Sequence, residues 1–199
     1  MADEDFEELQ TFVFKNRGAL LAFPAALLAA FGKPSAGSVA LGLPLALAGE
    51  LIRCWAVGYS GVTTRGDAVE APELVTAGPY AYVRNPLYVG NFVTAAGFAI
   101  AFTGKNHPAA RWSLVLGTLG TMAAVYSIIV PHEERFLREK FGEAFDRYCE
   151  RVPRVMPQAE PMPDPQGTWR PEVIGEAESK TFVTFGAMLA ALAFKAFRG

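Results

Sequence analysis

Apolar residues gather along this chain into five stretches, at 18–31, 38–59, 86–103, 112–130 and 181–197, and charge is nearly absent from them. Charged residues crowd instead into 2–17, 65–73, 132–154 and 170–180. A GKPSAG turn at 32–37 joins the first two stretches, which are predicted as a helical hairpin. Crossing the hydrocarbon core takes ~20 apolar residues in a helix, so the first stretch, which contains Pro24, and the fifth are short for a span. Lys195 and Arg198 near the end of the fifth can snorkel to the interface. A domain this small has no soluble core large enough to hide five apolar helices. The pattern therefore predicts an all-α integral membrane protein with about five transmembrane helices, forming a single domain over 1–199.

Between the fourth and fifth stretches the period changes. Phe136, Leu137, Phe141, Ala144, Phe145 and Tyr148 recur at helical spacing, with Arg135, Arg138, Lys140 and Arg147 off that stripe. Residues 132–150 are thus predicted as an amphipathic helix that rests on the membrane or caps a pocket at its surface. Pro131 suits its first turn, and Glu133 and Glu134 lie near the positive end of its dipole. Residues 151–171 carry Pro153, Pro157, Pro161, Pro163, Pro165 and Pro171, the composition of an extended, irregular connector.

Lysine and arginine bias orients the spans. With a cytoplasmic N-terminus, that face holds Lys15, Arg17, Arg65, Arg84, Arg135, Arg138, Lys140, Arg147, Arg151, Arg154, Arg170 and Lys180. The other face holds Lys33, Lys105, Arg111, Lys195 and Arg198, and Arg53 lies within a span. This topology puts segments 74–91 and 131–157 together on the cytoplasmic side.

Composition agrees and removes some function classes. The chain is 51% hydrophobic and 19% charged, against roughly 25% charged in an average soluble domain. Its net charge of −2 offers no basic surface for nucleic acid. Cys54 and Cys149 form no CxxC pair, so neither a disulfide framework nor a metal cluster is expected. The acidic start MADEDFEE is unlike a cleavable secretory signal.

Segment 74–91 reads LVTAGPYAYVRNPLYVGN. Gly78-Pro79 marks a turn, and Pro86 starts the third span because Asn85 before it is biased away from helix. Tyrosine at an interface is ordinary anchoring, but the ordered set of tyrosines, Arg84 and Asn85 is far more specific. The second segment carries Glu133-Glu134, then FGEAFDRY at 141–148 and VPRVMP at 152–157. Alone, the two glutamates read as plain helix-start acids; followed by those elements they read as functional. Glu50 and Arg53 lie inside the second span, where buried charge marks pairing or function: they form a mutual ion pair, or Arg53 snorkels toward the cytoplasmic end, or one of them meets the acceptor group of a substrate. His107 and His132 are isolated, with no catalytic role expected. Ala95, Ala96, Gly97, Gly117 and Gly120 are expected to permit close helix packing.

Together the two segments resemble the signature of the isoprenylcysteine carboxyl methyltransferase and phospholipid methyltransferase superfamily, approximately GPYxxxRHPxYxG, a span, then EExxLxxxFGxxYxxYxxxVPRxxP. The stretch LIRCWA at 51–56 also looks like that family's second helix. The likeness covers about residues 50–157 and departs at two positions. Asn85 replaces a histidine, keeping a hydrogen bond but unable to carry a proton at neutral pH. Phe145 replaces a tyrosine.

The resemblance implies a cytoplasmic pocket for S-adenosyl-L-methionine, closed by the C-terminal amphipathic segment. Tyr82, Arg84, Asn85, Tyr88 and Gly90 would line it from one side, and Glu133, Glu134, Tyr148, Val152, Pro153 and Arg154 from the other. Of these, Arg84, Glu133, Glu134 and Arg154 would carry the catalysis, with Glu50, Arg53 and Trp55 toward the substrate. The acceptor implied is lipid-like, an isoprenylcysteine-type carboxylate first, with N- or O-methylation of a phospholipid or other lipid as the alternative. Two further readings stand beside it. One is a sterol-type membrane reductase using NADPH, for which the chain is short. The other is a non-enzymatic scaffold, which has no need of Arg84, Asn85, Glu133, Glu134 and Arg154 on one face.

Overall fold

A computed structural model describes residues 2–61 and 71–198, the first six of them by backbone course alone. Arg65 and the start of the charged stretch at 65–73 lie outside the described residues. Helix α1 spans Ala2–Phe31, α2 Ala36–Ser60, α3 Pro86–Phe102, α4 Pro108–Phe141, α5 Glu143–Arg151, α6 Ile174–Ala177 and α7 Ser179–Arg198. Single 3₁₀ turns occupy Gly78–Ala81 and Pro171–Val173, and among the described residues there is no strand. The all-α, membrane-spanning reading holds. Four helices are long and apolar enough to cross a membrane (α1 from Glu8, α2, α4 and α7), and α3 is a shorter apolar helix.

The helix ends follow local chemistry. Ser35 caps α2 in a reciprocal capping box with Ser38, which satisfies otherwise orphaned amides. Asn85 in extended backbone precedes Pro86 at the first position of α3, as the sequence predicts. Gly78 takes φ 62°, and a Cβ there would stand 2.1 Å from Tyr59 Cε2, so both conformation and contact call for glycine.

Two boundaries differ from the sequence expectation. The first helix does not begin at Gly18: the charged stretch before it continues the same helix, where Arg17 stacks 4.0 Å from the Phe14 ring centroid. Nor does Pro131 open a separate helix at 132. It lies inside α4, where it removes one backbone bond without ending the helix. The break comes instead at Gly142, at φ 52°. As a result the predicted stripe is divided between α4 and α5. Phe145 and Tyr148 are buried, but Ala144 is exposed, because the break resets the helical phase. At 34 residues, α4 is ~51 Å long. Its apolar part is long enough to cross the ~30 Å core, and its last turns, from Pro131 on, carry charge.

Helices α2 and α3 pack backbone to backbone. A Cβ on Gly97 would meet Ala46 N at 2.3 Å, one on Gly42 would meet Gly97 O at 2.3 Å, and one on Gly49 would meet Thr94 N at 2.4 Å. Small residues at such crossings let dispersion and close approach replace the hydrophobic drive that lipid removes. Gly117 and Gly120, expected to do the same, have nothing within 4 Å of a built Cβ. They lie on the exposed face of α4, so they close no helix contact here. Around the hairpin, Leu28 of α1, Ala46 of α2, Phe98 and Phe102 of α3, and Met188 and Leu192 of α7 form one core cluster. Val13 and Phe14 of α1 pack with Met122, Val125, Tyr126, Ile129 and Val130 of α4 in a second.

Gly97→Val is therefore expected to lower the melting temperature of the detergent-solubilised protein, at an overpacking cost of about 1–3 kcal/mol. Gly117→Val is expected to leave it unchanged. Tryptophan-fluorescence melting of the two variants beside wild type checks the contrast.

Candidate functional site

The two motif segments meet where α3 begins and α4 ends. The connector after α5 runs alongside residues 76–84 and exchanges backbone hydrogen bonds with them. Arg84 N donates to Pro153 O at 2.9 Å, Gln158 N to Tyr82 O at 3.0 Å and Met162 N to Ala81 O at 3.0 Å. Thr76 N and Ala77 N both donate to Gln166 O, at 2.8 and 2.9 Å. Further on, Arg170 N donates to Gly58 O at 2.7 Å, and Trp169 lies against Gly58, where a Cβ would meet its Nε1 at 2.1 Å. Three amides of the proline-rich stretch, those of Gln158, Met162 and Gln166, donate to the first motif segment, and so tie the connector to it.

Glu134 is the junction. Its Oε1 accepts from Arg84 Nε at 3.0 Å and Arg154 Nε at 3.1 Å, and its Oε2 accepts from Arg154 Nη2 at 2.5 Å. The Arg84 and Glu134 side chains are only 11% and 6% exposed, whereas Arg154 is 51% exposed. Arg84 also donates through Nη1 to the carbonyls of Cys149 and Val152, at 3.0 and 2.8 Å, which closes the C-terminal end of α5. Asn85 Nδ2 donates to Arg154 O at 3.1 Å, and Tyr148 OH donates to Tyr80 O at 2.8 Å. Phe145, Tyr148 and Val152 form a small buried core beneath. Val152, Pro153 and Arg154 thus contribute backbone carbonyls, to Arg84 and to the Asn85 side chain.

Beside this junction lies a cavity of about 110 Å³ lined by Tyr80, Arg84, Asn85, Glu134, Phe145 and Tyr148, with Ser60, Leu74, Val75 and Leu137. Typical ligand pockets run to ~300–1,000 Å³. Part of this wall is Ala71, Pro72 and Glu73, which lead directly from residues outside the described range. Burial pushes the Tyr80 phenol up to about 12, so it presents a neutral hydroxyl.

Glu133 faces another way. Its Oε1 accepts from Tyr88 OH at 2.6 Å. Burial pushes its carboxyl up to about 7, although the Tyr88 bond and the nearby Arg17 charge pull it down. The Tyr88 ring lies 4.3 Å from that of Tyr126, and Tyr126 OH accepts from Asn91 Nδ2 at 2.8 Å. The adjacent glutamates therefore occupy two environments, one ion-paired beside the cavity and one buried against a phenol.

The remaining predicted residues fall elsewhere. Gly90 does not open toward the cavity: a Cβ there would meet Arg53 Cγ at 2.7 Å and Gly49 O at 2.8 Å, so it accommodates α2. Trp55 is 43% exposed and sits 6.3 Å from the Tyr82 ring. Glu50 lies 3.9 Å from Arg53 Nε, but the closer partner of Arg53 is Glu178, at 2.7 and 2.8 Å to its two oxygens. Glu178, which heads α7, is absent from the sequence-based set, although an acid at the start of an apolar span is a signal of pairing. Tyr80 and Phe145 stood in the quoted motifs without a site role. A second, largely apolar cavity of about 180 Å³ lies among the helices. Glu50, Asn91, Thr94, Tyr126, Thr181 and Met188 are among its walls. Among the described residues no group of His, Cys, Asp and Glu could hold a metal ion.

Comparison with known proteins adds a family and several relatives. A family model described as phospholipid methyltransferase matches residues 38–144. The chain is 37% identical over 84 residues to protein-S-isoprenylcysteine O-methyltransferase of Schizosaccharomyces pombe, covering 42% of this chain and 33% of that protein. It is 30% identical over 121 residues to a probable protein-S-isoprenylcysteine O-methyltransferase of Oryza sativa subsp. indica, covering 59% and 60%. It is 35% identical over 118 residues to the nickel-cobalt-cadmium resistance protein NccN of Alcaligenes xylosoxydans xylosoxydans, covering 59% and 47%. The chain thus spans a third to three-fifths of the length of these relatives.

Two outcomes follow from the geometry. Glu134→Ala leaves Arg84 buried without its carboxylate and is expected to cost about 3–5 kcal/mol. Arg154→Ala, at a half-exposed position, is expected to cost no more than about 1 kcal/mol. For Glu133, the raised folded value means that the folded state holds its proton more tightly than the unfolded chain. Stability is therefore lost as pH rises from the unfolded value, near 4.5, through about 7. Glu133→Gln is expected to melt progressively higher than wild type between pH 4.5 and 7, with a constant gain above, in a thermal-melt series across that range.

Proposed function

Because the chain belongs to the phospholipid methyltransferase family, we propose that it is an integral membrane enzyme transferring the methyl group of S-adenosyl-L-methionine to a lipid-like acceptor, with an isoprenylcysteine-type carboxylate as the first candidate. The observation that carries this reading is the Glu134 junction. It draws an arginine from each motif segment to one carboxylate at the rim of a cavity that has aromatic and apolar walls. The donor set suits the cofactor. Phe145, Tyr148, Leu74 and Val75 offer an apolar surface for a purine. Arg154, half-exposed and bonded to Glu134 through Nε and Nη2, can turn its Nη1–Nη2 edge to a carboxylate, while Arg84 holds Glu134 in place and Glu134 offers an acceptor for an ammonium or a ribose hydroxyl. When bound, the cofactor supplies an electrophilic methyl group on a sulfonium.

The chain's own residues then bind, orient and exclude water. Methyl transfer to a carboxylate is an in-line displacement that needs no strong base, so positioning and desolvation carry most of the rate. The apolar cavity among the helices offers room for part of the acceptor's tail. Tyr126 in its wall packs on Tyr88, and Tyr88 in turn bonds Glu133. The lysine and arginine bias supports a cytoplasmic N-terminus and cytoplasmic motif segments.

A second reading has its own observation. An amine acceptor reacts only when unprotonated, and a carboxyl titrating near 7, as Glu133 does, is matched to accept that proton at neutral pH. N-methylation of a phospholipid amine therefore stands as the alternative.

The test is ligand-dependent melting followed by turnover. S-adenosylmethionine or S-adenosylhomocysteine at a hundredfold excess over Kd should stabilise the detergent-solubilised protein by about 2.7 kcal/mol. Arg84→Ala and Glu134→Gln should reduce that shift. Stabilisation by NADPH alone would favour a reductase, and none by any of the three would leave a scaffold. With labelled cofactor, a carboxylate acceptor gives a base-labile methyl ester at a rate insensitive to pH between 6 and 8. An amine acceptor gives a base-stable product at a rate rising with pH.

A further inference from the structure

The buried ion pair between α2 and α7 lies outside the cofactor site, yet it begins a continuous line of contacts that ends on Glu133. Glu178 is fully buried. Arg53 Nη2 donates to both its oxygens at 2.7 and 2.8 Å and approaches Thr181 Oγ1 at 3.3 Å. The other arm of the same guanidinium, Nη1, donates to Asn91 Oδ1 at 2.6 Å. That bond fixes which end of the amide faces Arg53, and so leaves Nδ2 to donate to Tyr126 OH at 2.8 Å. Tyr126 packs against Tyr88 at 4.3 Å between ring centroids, and Tyr88 donates to Glu133 at 2.6 Å.

Stability alone is a weak reason for such a pair. Taking two charges out of water costs about as much as their attraction returns, and an apolar pair of the same size packs as well or better. What the pair does that an apolar contact cannot is orient a planar fork. Arg53 is held through Nη2 by a carboxylate, and the planar fork then turns Nη1 to Asn91. Glu178 also lies beyond residues 38–144, so the family match does not account for it.

We propose that Glu178 is a positioning residue: acting through Arg53, Asn91 and Tyr126, it holds the Tyr88 hydroxyl on the Glu133 carboxyl. The consequence for turnover rests on the amine-acceptor reading above, in which Glu133 takes the proton; the positioning itself does not. Among the described residues, the charged groups around this line include Glu50 beside Arg53, and Arg17 and Glu134 near Glu133.

The experiment has one arm without turnover. In infrared spectra of the purified full chain below pH 6, the protonated Glu133 carboxyl gives a band identified by its loss in Glu133→Gln. The frequency of that band reports the Tyr88 hydrogen bond. Tyr88→Phe should shift it, and Glu178→Gln and Tyr126→Phe should shift it in the same direction. A wild-type band in Glu178→Gln overturns the proposal. Should Glu178→Gln not fold, Tyr126→Phe, which removes no charge, decides on the same terms.

The second arm is kinetic. Glu178→Gln should lower kcat by about ten- to a hundredfold with the cofactor Kd unchanged. In a Tyr88→Phe background it should lower kcat no further, since both act through one contact. Full additivity on Tyr88→Phe, the mark of a merely structural pair, overturns the proposal. A band shift in a protein that transfers no methyl group leaves the positioning intact and removes the proposed function instead.

Discussion

A buried carboxylate that must be matched by positive charge organises the membrane-surface end of this protein. Glu134 stands in the charged last turns of a helix about 51 Å long, and its side chain is 6% exposed. Isolated, that charge would be very costly. Two arginines satisfy it, one from just before α3 and one from just after α5, positions 70 residues apart in sequence. The other contacts at that end stand around the pairing. The connector is drawn across residues 76–84, α5 is turned back at Gly142 to bring Phe145 and Tyr148 underneath, and a cavity is left along the seam. The same group that closes the fold therefore stands where a charged small molecule would be read.

Deeper in the bundle the same rule gives a different result. Arg53, in an apolar helix, cannot reach water, and two acids flank it, Glu50 on its own helix and Glu178 on α7. Lipid offers no hydrophobic drive for one apolar helix to choose another. A paired charge does choose, and it fixes both the depth and the rotation at which α7 docks. The small residues of α2 and α3 serve a complementary purpose. They let two backbones touch, so that polar side chains at the hairpin's end stand at defined separations.

The neighbouring glutamates show how one helix can serve two chemistries. One residue step along an α-helix places residues 133 and 134 about 100° apart, so they face different neighbours. Glu134 faces cations and a partly open cavity. Glu133 faces a phenol and apolar side chains, and its burial raises its carboxyl to about 7. Environment, not residue type, separates an anchor from a group that exchanges protons near neutrality.

The apolar stretches, the turn at Gly78-Pro79, the start of α3 at Pro86 and the two motif segments were legible in the chain itself. Each depends on local chemistry: hydropathy over a span, the fixed φ of proline, the spacing of ordered residues. The pairing of Arg84 with Glu134, and of the first segment with the second, was legible as juxtaposition on one face, though not as contact. Tertiary structure alone decided that Pro131 stays inside a helix, that Gly90 serves α2 rather than the cavity, and that Gly117 and Gly120 face outward. It also decided that Arg53 answers chiefly to Glu178, 125 residues away. The reason is physical. Local patterns constrain the backbone of a few consecutive residues, whereas which charge neutralises which, and which small residue meets a neighbour, depends on how the helices rotate against one another. That rotation is set only when all the buried charges are matched at once.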